Sequence, residues 1–442
     1  MECRDRDTRA ACNGPTLALA LILALATGIG PVRAGDPPLA PLVPAWNLSL
    51  RSTGYAYQTA DPAGAETDHV DFYQEFAGGV SGLAGGRLSL RASGRHATSP
   101  ADAWTGRDRS RLSTGYLEAR FGPRLRARLG RQFLQAGVAA LTLDGAELTY
   151  GRGSAVEFSA WGGARAPWGC GTGLGDFDLD RAAGGRLVLA PGGGHRFAVS
   201  GAYRERGGAV AERPVGCEYA TTALPHADAL ARAAYDLETH RWSRLEAQAR
   251  WQPAASRPAL SLQFVDRRPA VDATSWFARI ADVKRVRLAR GALSWERRSR
   301  WGGELEYVGS FVGERASSRV GVALLLPAAR VGWSVRLDDE GDESSLYGEL
   351  AWQARRWLRL EGEASRLVYA LIADAASADE RELTTFAARA RARLRPGLNV
   401  TAEVQSLDSP SYSRDVRLLL GVDLAMARGA GRTGLDRGGW RR

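Results

Sequence analysis

The chain has little cysteine, methionine, histidine or lysine: 4 Cys, 2 Met, 5 His and the single lysine Lys284 among 442 residues. So few cysteines exclude a disulfide-dense scaffold. The histidines, His69, His96, His195, His226 and His240, make no HxxxH or HExxH spacing, and no CxxC occurs, so zinc-ligand and metalloprotease signatures are missing. Beyond the N-terminus no apolar run approaches the roughly 20 residues of a membrane-spanning helix. A mean hydropathy of −0.25 agrees with that exclusion.

Glycine and arginine are abundant. There are 52 Gly, 45% hydrophobic and 24% charged residues, and the formal charge is +10, which excludes a disordered chain. The arginines recur at alternate positions along the whole chain instead of forming a basic tail. No aromatic RNA-binding signature accompanies them, so nucleic acid is not expected as a partner.

Residues 1–34 read as a secretory signal peptide. Arg4, Arg6 and Arg9 make a basic start, Leu17–Ala26 is apolar but too short to span a bilayer, and Val32-Arg33-Ala34 suits cleavage before Gly35. Removal of this segment takes Cys3 and Cys12 with it, leaving Cys170 and Cys217 in an oxidising compartment. A short N-terminal periplasmic segment, 35–44, precedes the first regular pattern, and a Gly- and Arg-rich tail, 426–442, follows the last one.

Between them, over 45–425, the dominant pattern has period two. Trp46, Leu48 and Leu50 alternate with Asn47, Ser49 and Arg51, and the same holds in Gly86–Ala92, Leu245–Trp251, Leu346–Trp352 and Leu358–Ala364. Successive side chains of a strand point to opposite faces, so each segment has one apolar and one polar face. Tight connections rich in Gly and Pro, at 84–85, 122–123, 151–153, 191–194, 327–329 and 396–397, alternate with longer polar ones at 59–68, 96–110, 131–143, 164–184, 206–228, 266–285, 367–381 and 407–413. This is the layout of an all-β, antiparallel up-and-down sheet. About 21 segments qualify as strands; the alternation slips between about 238 and 285, and 18–20 strands are expected.

Three features turn the alternation toward a membrane barrel. A secreted chain of many hairpins removes its sheet edges by closing. Strands of about ten residues suit a tilted crossing of the bilayer. Aromatics sit near strand ends, among them Trp46, Tyr55, Tyr57, Tyr150, Trp161, Trp251, Trp295, Trp301, Trp352 and Trp357. With these residues, and above all over Leu117–Gly163, the sequence resembles bacterial outer-membrane β-barrels of the porin-like family. The resemblance implies a single transmembrane barrel over 45–425 in the outer membrane of a Gram-negative bacterium. It also implies surrounding lipid and lipopolysaccharide, handling by the barrel-insertion machinery, passage of small solutes, and a possible homo-trimer. The family's terminal aromatic is missing from the last strand, 416–424; Trp440 lies outside the pattern.

If the apolar face meets lipid, the polar positions line the pore. The expected lining residues are Arg124, Arg126, Arg128, Glu304, Glu306, Arg359, Glu361, Glu363, Arg389, Arg391 and Arg393, with arginines facing carboxylates across the lumen as an anion-favouring filter. The bland alternative is a solvated strand face. Cys170 and Cys217 fall in two long loops on one side of this layout, so a disulfide could staple them, worth roughly 4 kcal/mol on the chain-entropy model. Two unpaired thiols are the alternative. Asp176, Asp178 and Asp180 resemble half a calcium loop, but no glycine or closing glutamate follows at the required spacing, and a solvated acidic loop is the expected reading.

No catalytic constellation is found and no cofactor is implied; Asp68 and His69, as neighbours on a strand, point apart. The function expected is a porin-like channel for passive diffusion of small hydrophilic, anionic solutes. A closed barrel serving as scaffold or sleeve for a secreted polymer or an electron-transfer protein is the second reading. A soluble periplasmic β-protein is the third.

Overall fold

The computed structural model describes residues 44–60, 66–98, 109–166, 172–254, 257–268, 284–297, 301–338, 342–371, 379–409 and 412–428. The expected signal peptide, most of the segment 35–44 and the tail beyond Arg428 lie outside the described residues.

Strands account for nearly all of the described chain. In order they are β1 (Ala45–Ala60), β2 (Glu66–Gly82), β3 (Leu88–Thr98), β4 (Arg109–Phe121), β5 (Leu125–Ala136), β6 (Ala139–Tyr150), β7 (Val156–Arg165) and β8 (Asp180–Gly192). Then come β9 (His195–Arg206), β10 (Ala209–Glu212), β11 (Pro214–Thr221), β12 (Ala227–Asp236), β13 (Arg241–Trp251), β14 (Ala259–Arg267), β15 (Val286–Arg297) and β16 (Trp301–Val312). The last are β17 (Arg315–Leu325), β18 (Ala329–Asp338), β19 (Glu343–Arg355), β20 (Leu358–Leu371), β21 (Asp379–Arg395), β22 (Leu398–Ser409) and β23 (Tyr412–Arg428). A single helical turn, Leu83–Gly86, links β2 to β3.

Consecutive strands pair antiparallel, except β10 with β11, and β1 pairs with β23 over Trp46–Ala56 and Leu418–Arg428, which closes the sheet. β10 and β11 lie against the same strand, β9, on either side of Arg213, and act as one interrupted stave. The 23 assigned strands therefore make a closed barrel of 23 − 1 = 22 staves. Closure gives every stave among the described residues a neighbour on both sides.

The count corrects the expectation of 18–20 strands, and the error has one source. The stretch 206–228, expected as a long loop, contains a stave whose alternation is broken by Pro214 and Gly216 and by a register shift between Val210 and Glu212. Proline and glycine demote a run in sequence reading, and restoring this stave makes the alternation regular through 238–285. The expected loop 131–143 is likewise two strands joined at Gly137-Val138, and the connection at 407–413 shrinks to 410–411. β23 runs to Arg428, so its last residues belong to the barrel rather than to a tail from 426.

Period two separates the faces as expected. Leu90, Leu262, Leu305, Val322, Leu350 and Leu420 all lie on the outer face with much of their surface exposed. Outward aromatics sit near both ends of the strands, with Trp46, Tyr150, Phe158, Trp251, Trp301 and Trp352 toward the short-turn end and Tyr203, Trp242 and Phe311 toward the other. Such belts suit the interfaces of a bilayer. Tyr55, Tyr57 and Trp161 do not belong to them, because their register puts them on the interior face.

Candidate functional site

The interior face carries the charge. Strand parity places Arg126, Arg128, Glu304, Glu306, Arg359, Glu361, Glu363, Arg389, Arg391 and Arg393 there, opposite the apolar outer face. Arg124 is the exception: it lies in the exposed turn between β4 and β5, where its carbonyl accepts the Gly151 N–H at 2.8 Å.

The charges are paired sideways along the wall instead of across the lumen. Directly opposed residues on neighbouring strands stand within side-chain reach, so arginine and glutamate in adjacent staves meet. Around Glu118 and Glu147, Arg120 lies at 2.9 Å from Glu118, Arg128 at 2.9 and 3.3 Å from the two carboxylates, and Arg126 at 4.0 and 3.8 Å. Glu361 holds Arg359, Arg389 and Arg391 at 2.9, 3.4 and 3.3 Å, and Arg389 also pairs with Glu403. Glu218 takes Arg186 and Arg232, each at 3.1 Å, and Arg232 reaches Glu246, which Arg244 also pairs. Glu306 lies between Arg290 and Arg319, and Glu304 meets Arg330 at 2.9 Å. Arg51 and Asp423, 2.5 Å apart, tie the closing seam of β1 and β23.

The ratio is uneven. The first three clusters each hold three arginines to two glutamates, and Glu306 has two arginines to itself, so each of the four carries one positive charge in excess. Carboxylates outside these clusters also stand on the interior face: Glu363 faces Glu349 across the β19–β20 ladder, and Asp71 stands opposite Tyr55 on β1.

One element leaves the wall. β5 pairs with β4 only as far as Arg131, and β6 pairs with β7 only from Leu143. Between these points the β5–β6 hairpin pairs with itself, and the Thr142 carbonyl accepts the Ala166 N–H at 2.9 Å. Its root is a pair of facing glycines, Gly130 and Gly145. Gly130 has φ +122, and a Cβ on Gly145 would run into the Gly162 carbonyl. The tip lies against the interior wall, where the Val138 N–H donates to the Ser200 hydroxyl at 3.1 Å.

The wall beneath is built for the hairpin. Its interior positions are small: Ala182, Gly184, Ala198, Ala202 and Gly216 take places that elsewhere hold charge. Onto them pack Leu134, Ala136, Ala139 and Leu143, with Trp161, as the main buried apolar cluster of the barrel. Phe133, 57% exposed, lies on the opposite face of the hairpin. This inward fold is absent from the period-two reading. Its signal is an interior face that turns apolar, in Leu134, Leu141 and Leu143, directly after the charged Arg126 and Arg128 of the same strand face.

A buried ion pair sits at the root. Arg131 donates two hydrogen bonds to Asp144, both of 2.7 Å, and the two side chains are only 3% and 6% exposed. Arg131 also donates to the Leu112 carbonyl at 3.0 Å and to the Gly173 carbonyl, while the Gly175 N–H donates to Asp144 at 2.6 Å. The segment after β7 thus straps the root.

Cys217 stands on β11, opposite Val199 on the outer face, instead of in a loop, which removes the premise of a loop-to-loop staple. Cys170 lies outside the described residues. The three aspartates do not converge: Asp176 caps its own turn by accepting the N–H groups of Asp178 and Leu179, and Asp180 is paired bidentately with Arg204. Among the described residues no group of three or more candidate metal ligands occurs.

No known family profile matches the chain, and no curated protein does. Among solved structures, the P pilus usher (PapC) translocation pore aligns at a TM-score of 0.47 and 11% identity, covering 88% of this chain and 100% of that one. OccAB4 of Acinetobacter baumannii aligns at 0.45 and 9% identity, covering 89% and 100%. The E. coli P pilus tip assembly intermediate containing PapC aligns at 0.51 and 12% identity, covering 91% of this chain and 62% of that chain. At these identities the likeness is one of fold: the chain is a closed, outer-membrane-type β-barrel.

Proposed function

We propose that this barrel is a porin-like channel in the outer membrane of a Gram-negative bacterium, passing small hydrophilic solutes passively, with a preference for anions. An apolar outer face with aromatics near both ends of its strands fits a bilayer. A lumen walled by charge fits hydrated solutes. The arginine excess in the interior clusters carries the selectivity reading. Because the pairs are lateral, most of each arginine's field is cancelled locally, and one net positive charge per cluster acts on the passing ion. Solutes exchange hydration for these side chains and leave again, with no covalent step.

Planar-bilayer recording under a salt gradient tests this reading. Stable conductance steps with a reversal potential on the anion side are expected. A folded, inserted protein that passes no current would overturn the channel and favour the scaffold or sleeve.

A further inference from the structure

We propose that the β5–β6 hairpin is a two-state gate, docked in the lumen or zipped into the wall, and that Arg131 and Asp144 hold it docked. This rests on the channel reading and adds to it how the pore changes width.

The second position is offered by β4. The ladder between β4 and β5 stops at Gly115–Arg131, and on the β5 side β4 continues toward Leu112 and Ser113 without a ladder partner. Extending the same register would lay Gln132, Phe133 and Leu134 alongside Thr114, Ser113 and Leu112. In the docked state the Arg131 guanidinium takes the Leu112 carbonyl, at 3.0 Å, where a ladder bond from β5 would otherwise form. Arg131 therefore holds open the gap into which the hairpin would zip. The Gly173–Gly175 strap bonds to both members of the pair and keeps them buried.

The docked seat is also imperfect. Gln132 is 1% exposed, yet neither its amide nitrogen nor its amide oxygen has a hydrogen-bond partner, and the indole Nε1 of buried Trp161 has none either. Buried polar groups without partners disfavour the state that buries them. The seat is thus apolar enough to hold the hairpin and costly enough to release it. The facing glycines Gly130 and Gly145 supply the hinge.

The test uses the full-length protein carrying Cys170→Ser and Cys217→Ser, into which Val138→Cys and Ser200→Cys are introduced together. Oxidation should form a disulfide, read by gel mobility after complete denaturation, and should hold the channel at its smallest conductance step until a reductant restores the larger ones. Asp144→Asn should slow the cross-link several-fold and raise the share of time in the larger step. Gln132→Leu, which removes the unpartnered amide, should do the opposite. Equal cross-linking in all variants, or currents unaffected by oxidation in a conducting protein, would overturn the gate and leave the channel standing. Variant-dependent cross-linking in a protein that never conducts would overturn the channel while upholding the hairpin's two positions.

Discussion

The backbone N–H of Val138 donates to the hydroxyl of Ser200 across 62 residues of sequence, at 3.1 Å. The contact joins the tip of one hairpin to the inner wall three staves beyond its own root, so the lumen is not a uniform tube. The charged clusters line the wall, and the β5–β6 hairpin stands out from it with Phe133 turned away from the seat. On the channel reading proposed above, selectivity and width fall to different residues and can be altered separately.

The hairpin root should be intolerant of side chains. A Cβ on Gly145 would collide with the Gly162 carbonyl and come within 2.7 Å of the Gly163 Cα, both of them backbone. Gly145→Val should therefore cost about 1–3 kcal/mol or more, as overpacking does, and lower the guanidinium midpoint of refolded protein. Gly162→Ala is the control, since its nearest heavy neighbour would be the Ala183 Cβ at 3.7 Å, an ordinary contact.

Charge reversal in one cluster should change selectivity without changing width. With Arg359, Arg389 and Arg391 against Glu361 and Glu403, that cluster carries 3 − 2 = +1, and Arg391→Glu makes it 2 − 3 = −1. The reversal potential under a salt gradient should move toward the cation side, most at low ionic strength, where screening is weakest. Unitary conductance at high salt should stay close to that of the unaltered protein.

The faces of the barrel were legible because period two is a local property: Leu48 and Ser49 declare their sides without reference to any other strand. Two things were not. Pro214 and Gly216 hide a stave, because its pairing with β9 and β12 outweighs the local preference against a strand. The run from Gln132 to Leu143 reads as a loop because Phe133, on the face turned away from the wall and 57% exposed, puts an apolar side chain where the alternation calls for a polar one. Lateral pairing of Glu118 with Arg126 and Arg128 depends on register, which period alone leaves open.

Cys217 offers a test of orientation at a single atom. It is exposed on the outer face in the middle of β11, beside Val199. In the Cys170→Ser background reconstituted into vesicles, a charged water-soluble thiol reagent should leave it unmodified, whereas an apolar maleimide that partitions into the bilayer should label it. Equal labelling by both reagents would place this stretch in water and contradict the assignment of faces.

Neighbouring residues on β22 should respond oppositely to the same substitution. Val404 points outward, 39% exposed, whereas Gln405 points inward and donates to Glu403 at 2.6 Å. Arginine on the lipid face costs about 2–4 kcal/mol near the bilayer midplane, because the guanidinium loses its hydration with no partner to replace it. Arginine at 405 keeps a donor for Glu403 and faces a lumen that already accommodates arginines on every side. Val404→Arg should therefore lower the folding free energy in vesicles, followed by tryptophan fluorescence in guanidinium, by roughly that amount. Gln405→Arg should change it by less than about 1 kcal/mol, the range of solvated ion pairs, while adding to anion preference. If the two variants were equally destabilised, the strand would have water or protein on both faces, and the membrane barrel would have to be abandoned.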